Sequence, residues 1–135
     1  MVLNAMMQAA LATAVIAAPA GAAPLDRHRW TSRVLVIAAD AGDSRVLRQR
    51  RIVEEARAGL RERDLVVVEA IGRDAEAMAV RRSLSLPADG FRTVLVGKDG
   101  GAKLASEEPI AADTLFATID AMPMRRDEAA QRRAR

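Results

Sequence analysis

The sequence contains no cysteine, and this single absence excludes several kinds of chemistry. Without a thiol, the chain cannot form a disulfide, attack a substrate through sulfur, or bind zinc or an iron–sulfur cluster through thiolates. It also cannot carry a lipoprotein anchor, which is attached to a cysteine. The single histidine, His28, makes a histidine-rich metal site impossible. We therefore expect no metal and no cofactor.

Aromatic residues are nearly absent as well, since tyrosine is missing and the whole set consists of Trp30, Phe91 and Phe116. Half of the 135 residues are hydrophobic, so a core is possible, but it must be built from aliphatic side chains. A chain of this length suits one domain. Two interpretations of Trp30 stay open: it closes one edge of the core, or it forms part of a ligand surface with His28.

Positive charge is concentrated at the C-terminus. Residues 124–135 carry five arginines against Asp127 and Glu128, which equals the net charge of +3 for the whole chain. The remainder has 16 basic and 16 acidic residues (21 minus 5 and 18 minus 2), so it is neutral. No basic patch on the domain follows, and we expect no nucleic-acid binding. Because residues 124–135 lack an apolar stripe, they are predicted to be a charged, disordered tail.

The first 25 residues contain no charged side chain. Residues 6–18 are mildly apolar and have the length of a signal-peptide core, and small residues at 20–22 form a cleavage site. The lysine or arginine that usually precedes such a core is missing. The alternatives to a signal peptide are an Ala-rich helix of the mature domain and a membrane anchor. A spanning helix needs about 20 consecutive strongly apolar residues. We expect a cleaved signal peptide at residues 1–23, no remaining membrane span, and a periplasmic or secreted protein.

Apolar patterning divides residues 24–123 into alternating strands and helices. Four apolar runs predict strands at residues 33–39, 65–71, 93–96 and 102–104, the last two joined by the tight-turn pair Asp99-Gly100. Apolar faces at helical spacing predict helices at residues 44–63, 74–84 and 111–122, the last ended by Pro123. The order β-α-β-α-β-β-α is that of the thioredoxin core. We therefore expect a thioredoxin-like α/β domain over residues 24–123, with a mixed central sheet and helices on both faces.

Three strings of the sequence resemble the DUF4174 domain family: PLDRHRW leading into RVLVIAA, FRTVLVGKDGGAKL, and a Glu-Pro helix start followed by IDAMPMRR. The resemblance covers most of residues 24–127, and LVGKDGG at residues 95–101 is its most specific part. It implies a thioredoxin-like fold and export, because the family occurs in small exported bacterial proteins and in animal extracellular proteins with sushi repeats. No catalytic activity is established for this family, so the resemblance leaves the function open.

The loop after the first predicted strand reads ADAGDS at residues 39–44. Thioredoxins place a Cys-x-x-Cys motif there, at the start of a helix, and a cis-proline at the position that aligns with Arg92. Both signatures are missing from this chain. Dithiol exchange and peroxidase activity are excluded, because both require a thiolate.

Polar residues near this loop are the candidate binding residues, namely Asp40, Asp43, Ser44, Arg82 and Arg92. Asp40 and Asp43 either perform acid–base work or bind a hard cation, or they are a loop acid and a helix cap, with Ser44 as the other candidate cap. Arg82 and Arg92, with Arg81, either converge on an anionic ligand or lie in solvent. We assign no catalytic residue and no metal ligand.

The leading interpretation is a non-catalytic module that binds an unidentified protein or an anionic surface. One alternative is an enzyme that uses Asp40, Asp43 and nearby arginines on an acidic or phosphorylated substrate. The other is an anionic-polymer binder that acts through the arginine tail. This last alternative predicts that binding is lost with added salt and on deletion of residues 124–135.

Overall fold

Four strands form one mixed sheet in the computed structural model, which describes residues 23–134. The predicted leader, residues 1–23, lies outside the described residues except for Ala23. In the sheet order β2-β1-β3-β4, β1 is parallel to β2 and antiparallel to β3, and β3 and β4 form an antiparallel hairpin. The predicted α/β class and mixed sheet are confirmed. The strands are β1 (Arg33–Ala39), β2 (Leu65–Ile71), β3 (Arg92–Val96) and β4 (Ala102–Ser106).

Five α-helices accompany the sheet within residues 23–134: α1 (Ser44–Glu55), α2 (Arg57–Glu62), α3 (Ala75–Ser83), α4 (Ala112–Asp120) and α5 (Pro123–Ala134). The prediction of one continuous helix over residues 44–63 is wrong, because the backbone leaves the helical region at Ala56, where φ is −107° and ψ is 15°. The Ala56 N–H is shared between the carbonyls of Ile52 and Val53, at 3.2 Å from each. No helix in the described part of the chain is long and apolar enough to span a membrane.

Every residue of β1 is buried, because helices cover both faces of the sheet. On one face, β1 packs against α3, in a cluster that includes Val34, Val36, Ala38, Ala77 and Val80. On the other face it packs against α1, α2 and α4, through contacts that include Leu35, Ile37, Val46, Leu60, Leu115 and Ile119. Burial on both faces explains why β1 reads as an unbroken apolar run rather than an alternating one.

The C-terminal segment is helical, and the prediction of a disordered tail is wrong for residues 124–134. Pro123 begins α5 instead of only ending the preceding helix, because a proline at the first helical position has no N–H to leave unsatisfied. Arg125 is buried, and Glu128 contacts Arg33 and Lys98 across the molecule. This helix is therefore held against the sheet by ion pairs rather than by an apolar stripe. A search for apolar periodicity cannot predict a helix of this kind.

Candidate functional site

Asp40 follows directly after β1, at the end of an inner strand of the sheet, and belongs to the loop at residues 39–44. Its carboxylate accepts hydrogen bonds from the Gly90 N–H, with distances of 3.3 and 3.2 Å to the two oxygens. The guanidinium of Arg81 lies 4.0 Å away, which makes a long ion pair. Asp40 therefore fastens the loop before β3 to the end of β1, although half of its side chain is exposed to solvent.

Asp43 is the N-cap of α1, as predicted for this position or for Ser44. Its carboxylate accepts from the Arg45 backbone N–H at 2.9 Å and from Nε and Nη2 of the same arginine at 3.1 and 2.9 Å. Hydrogen bonds from the side chain and then the backbone of Arg45 lower the pKa of Asp43 below its ordinary value. A carboxyl that is held ionised in this way cannot donate a proton near neutral pH. Ser44 lies exposed at the first position of the helix.

The candidate arginines do not converge. Arg81 is buried and donates to the carbonyls of Pro87 and Gly90, at 2.8 and 2.9 Å, so it holds the loop before β3 in place. Arg82 is exposed on α3. Arg92 donates to the Phe91 carbonyl at 2.8 Å and faces a glutamate side chain after β4 at 3.7 Å. Arg81 and Arg92 have different partners, and no hydrogen bond or ion pair within residues 23–134 joins Arg82 or Arg92 to Asp40 or Asp43.

Arg45 contacts several residues at this end of the sheet, although no pattern in the sequence indicates such a role. Its guanidinium lies 4.9 Å from the centre of the Phe91 ring and 3.7 Å from the Glu108 carboxylate. A shallow cavity of about 210 Å³ beside Asp43 is lined by α1 and the end of β2, and it includes neither Asp40 nor Arg92. Asp40, Asp43 and Arg45 thus already have partners within the described residues, which favours the structural interpretation of Asp40 and Asp43.

The opposite end of the sheet carries an exposed tryptophan. Trp30 precedes β1 and is 62% exposed, so the interpretation that it closes the core is wrong. Its φ is +70°, a left-handed conformation that a bulky residue rarely adopts. The Trp30 N–H donates to the Lys98 carbonyl at 2.6 Å, and this bond fixes the strained residue against the β3–β4 hairpin.

The hairpin turn beside Trp30 is rigid and polar. The Asp99 carboxylate accepts from the Gly101 N–H and from Lys103 Nζ, both at 2.9 Å, and these bonds lower the pKa of Asp99. Gly100 has a φ of +88°, and a Cβ there would lie 2.8 Å from Nε of Arg29, so glycine allows that guanidinium to lie on the turn. We call Arg29, Trp30, Met124 and residues 97–101 the Trp30 face.

A cavity of about 280 Å³ opens between the hairpin and the start of α5. Met122, Pro123 and Met124 supply apolar walls, while Lys98 and Arg33 supply polar ones. Met124 is 39% exposed, so this apolar wall reaches the surface. The Trp30 face therefore combines an exposed aromatic ring with a recess large enough for a side chain.

A group of charged side chains joins the Trp30 face to α5 through Lys98. The Glu128 carboxylate accepts from Lys98 Nζ at 2.8 Å and from Nη1 and Nη2 of Arg33 at 3.2 and 3.3 Å. Lys98 also donates to Asp64 at 2.9 Å. Burial acts to raise the pKa of Glu128, but the hydrogen bonds from Lys98 and Arg33 outweigh it and leave that pKa below its ordinary value. Glu128 stays ionised and ties α5 to the end of the sheet.

Comparison with known proteins identifies the family but no activity. A family model described as a domain of unknown function, DUF4174, matches residues 24–128. The chain belongs to the DUF4174 family. No curated protein and no solved structure matches the chain significantly. The match confirms the resemblance drawn from the sequence, and its range includes both the Asp40 loop and the Trp30 face.

The described part of this DUF4174 domain holds no group of three or more histidine, aspartate or glutamate side chains that could together bind a metal ion. Gln49 is an important polar residue that the sequence does not indicate. Gln49 of α1 is fully buried, accepts from the Ile110 N–H at 2.7 Å and donates to the Ile110 carbonyl at 3.0 Å. A lone glutamine in a charged helix gives no signal of such a contact.

Proposed function

We propose that the chain is a thioredoxin-like module without redox activity that works by binding another protein through the Trp30 face. The strand order β2-β1-β3-β4, with one parallel and two antiparallel pairings, supports the thioredoxin-like topology. The loop at residues 39–44 carries carboxylates where a thioredoxin needs thiols. These two observations support a domain of this topology without dithiol chemistry, and they favour the proposed binding role.

The exposure of Trp30 is the observation that carries this proposal. Tryptophan is enriched among the residues that contribute most to protein–protein binding. Its left-handed backbone costs about 1–2 kcal/mol, and such strain is concentrated at functional sites. Arg29, whose guanidinium lies at Gly100, and Asp99 of the same turn add charged groups to this face, as in the polar rim of an interface. The recess beside Met124 then receives an apolar side chain of the partner.

The enzyme alternative has weaker support. Asp40 and Asp43 accept hydrogen bonds from Gly90 and Arg45, and the pKa of Asp43 is lowered rather than tuned toward neutral pH. A general acid or base works best with a pKa near the operating pH. We also propose that the protein acts in the periplasm or outside the cell, on the basis of the apolar leader at residues 1–23.

In-cell crosslinking of the tagged full-length protein, followed by mass spectrometry, tests this proposal. The wild type is compared with Trp30→Ala and with the control Leu47→Ala. Leu47 lies on α1 and is 60% exposed, so both variants remove a similarly exposed large apolar side chain. We expect one reproducible protein partner with the wild type and with Leu47→Ala, and its loss with Trp30→Ala.

Equal capture of the partner by Trp30→Ala and Leu47→Ala, or the absence of any protein partner, would contradict binding through the Trp30 face. Circular dichroism of each variant checks that the fold is retained. The N-terminal peptide of the captured protein tests export in the same experiment. A start near Ala23 or Pro24 is expected, and an intact Met1 would contradict cleavage of a signal peptide.

A further inference from the structure

Most of the net positive charge of the protein lies on an ordered helix, because residues 124–134 carry four arginines against Asp127 and Glu128, which is +2 of the +3. Residues 124–135 account for the whole charge of +3, and all of them except Arg135 belong to α5 as the structure describes it. A disordered tail would spread these arginines over many conformations. In a docked helix they keep fixed positions and form a defined electrostatic surface.

One side of α5 borders an open cleft of about 330 Å³, lined by Asp120, Arg125, Arg126, Ala129 and Arg133. Arg126 and Arg133 are seven residues apart, so they share a helix face at an axial separation of about 10.5 Å. Ala129 lies between them and leaves the middle of the cleft open. Within residues 23–134, the side chains of Arg126 and Arg133 make no hydrogen bond and no ion pair.

The floor of the cleft is held by paired charges. Arg125 is buried and donates to Glu62 at 2.9 Å and to Asp120 at 3.2 Å. Asp120 also accepts two bonds from Arg63, at 2.9 and 3.0 Å, and these bonds lower its pKa. Asp120 therefore already accepts three hydrogen bonds from two guanidinium groups. The charges of Arg126 and Arg133 remain uncompensated at the mouth of the cleft.

We propose that this cleft, hereafter the α5 cleft, binds an acidic polysaccharide through its carboxylate or sulfate groups. Guanidinium groups bind such planar or multidentate anions through paired hydrogen bonds. Two free arginines about 10 Å apart suit successive groups of a polymer better than one small anion. The cleft has no aromatic residue on which a nucleic-acid base would stack, and its lining has no large apolar side chain for insertion into a membrane.

Isothermal titration calorimetry at physiological ionic strength tests the proposal, with an alginate oligosaccharide as the carboxylate probe and a heparin oligosaccharide as the sulfate probe. The test variant is Arg126→Gln with Arg133→Gln. The matched control is Arg48→Gln with Arg51→Gln, two exposed arginines of α1 that also make no ion pair within residues 23–134. Both double variants remove two positive charges, so they have the same net charge and differ only in where the charge is lost.

We expect one of the two probes to bind the wild type, and the α5 double variant to weaken that binding at least about tenfold, since two charge-assisted donors are lost. The control is expected to change it less than about twofold, because screening at this ionic strength limits the reach of distant charges to about 8 Å. Trp30→Ala is expected to leave this binding unchanged, which separates it from the proposed protein partner.

Three results would overturn the proposal. Equal losses in the two double variants would show a non-specific charge effect, and absence of binding by both probes would show that the cleft has no such ligand. Binding of single-stranded DNA as tight as that of the better oligosaccharide would show that the cleft does not select polysaccharides. Thermal unfolding followed by circular dichroism establishes that each variant is folded.

Discussion

Replacement of Glu128 by glutamine tests whether α5 is docked as the structure shows. The Glu128 side chain is only 20% exposed and neutralises two buried cations, Arg33 and Lys98. Removal of one partner from a buried ion pair costs about 3–5 kcal/mol, and the partial exposure of Glu128 places it at the lower end. Glutamine still accepts one hydrogen bond, which returns about 1 kcal/mol. We therefore expect Glu128→Gln to lower the free energy of unfolding by about 2 kcal/mol.

Urea unfolding followed by circular dichroism measures this change. With an m-value of about 1.5 kcal/mol/M for a domain of this size, the midpoint falls by about 1.3 M. The matched control is Glu54→Gln, which removes the same charge from an exposed pair with Arg57, whose side chains are 64% and 65% exposed. That pair is worth less than about 0.5 kcal/mol. Equal midpoints for the two variants would refute the docking of α5 through Glu128.

Three further predictions follow from buried or exposed side chains. Gln49→Leu is expected to destabilise the protein by about 2–3 kcal/mol in the same urea assay, since it leaves two buried backbone groups of Ile110 unpaired, and a loss below about 1 kcal/mol would contradict that contact. The pKa values of Asp120 and Glu128 are lowered from 3.8 and 4.5, so both carboxyls stabilise the fold fully above these unfolded values. Stability is expected to decline as the pH falls through their lower folded values, less steeply in Glu128→Gln, and a flat profile in acid would contradict the lowered pKa values. Trp30 is the only tryptophan, so acrylamide is expected to quench the fluorescence of the native protein nearly as well as that of the unfolded protein; strong protection would show that the ring is covered.

The strands of the sheet could be predicted from the sequence because the patterns that specify them lie within short segments of the chain. β1 and β2 are continuous apolar runs, and their observed bounds are the predicted ones, residues 33–39 and 65–71. The β3–β4 hairpin follows from the Asp99-Gly100 turn, where Gly100 adopts the left-handed conformation that the turn requires. Each of these features depends on residues that are close together in the chain.

The helix α5 and the roles of the buried polar residues depend on distant partners and could not be predicted. Arg33 meets Glu128 across 95 positions of sequence, and Gln49 meets Ile110 across 61. An arginine in a strand or a glutamine in a helix is usually exposed, so its burial cannot be inferred without the partner. Residues 124–134 lack an apolar stripe and were therefore predicted to be disordered, whereas ion pairs hold this helix against the sheet.

The two ends of the sheet differ in how far their polar groups are satisfied, and this difference favours the Trp30 face as the proposed binding surface. At the Asp40 end, the acids and Arg45 meet partners within the domain, so a ligand there would first have to break existing bonds. At the other end, Trp30 keeps an exposed ring on a strained backbone, and the Lys98 carbonyl and the buried pair of Lys98 with Glu128 hold that arrangement in place. Strain of this kind persists only where the surrounding structure enforces it. A surface maintained at such a cost fits the proposed role in binding better than a role in stability.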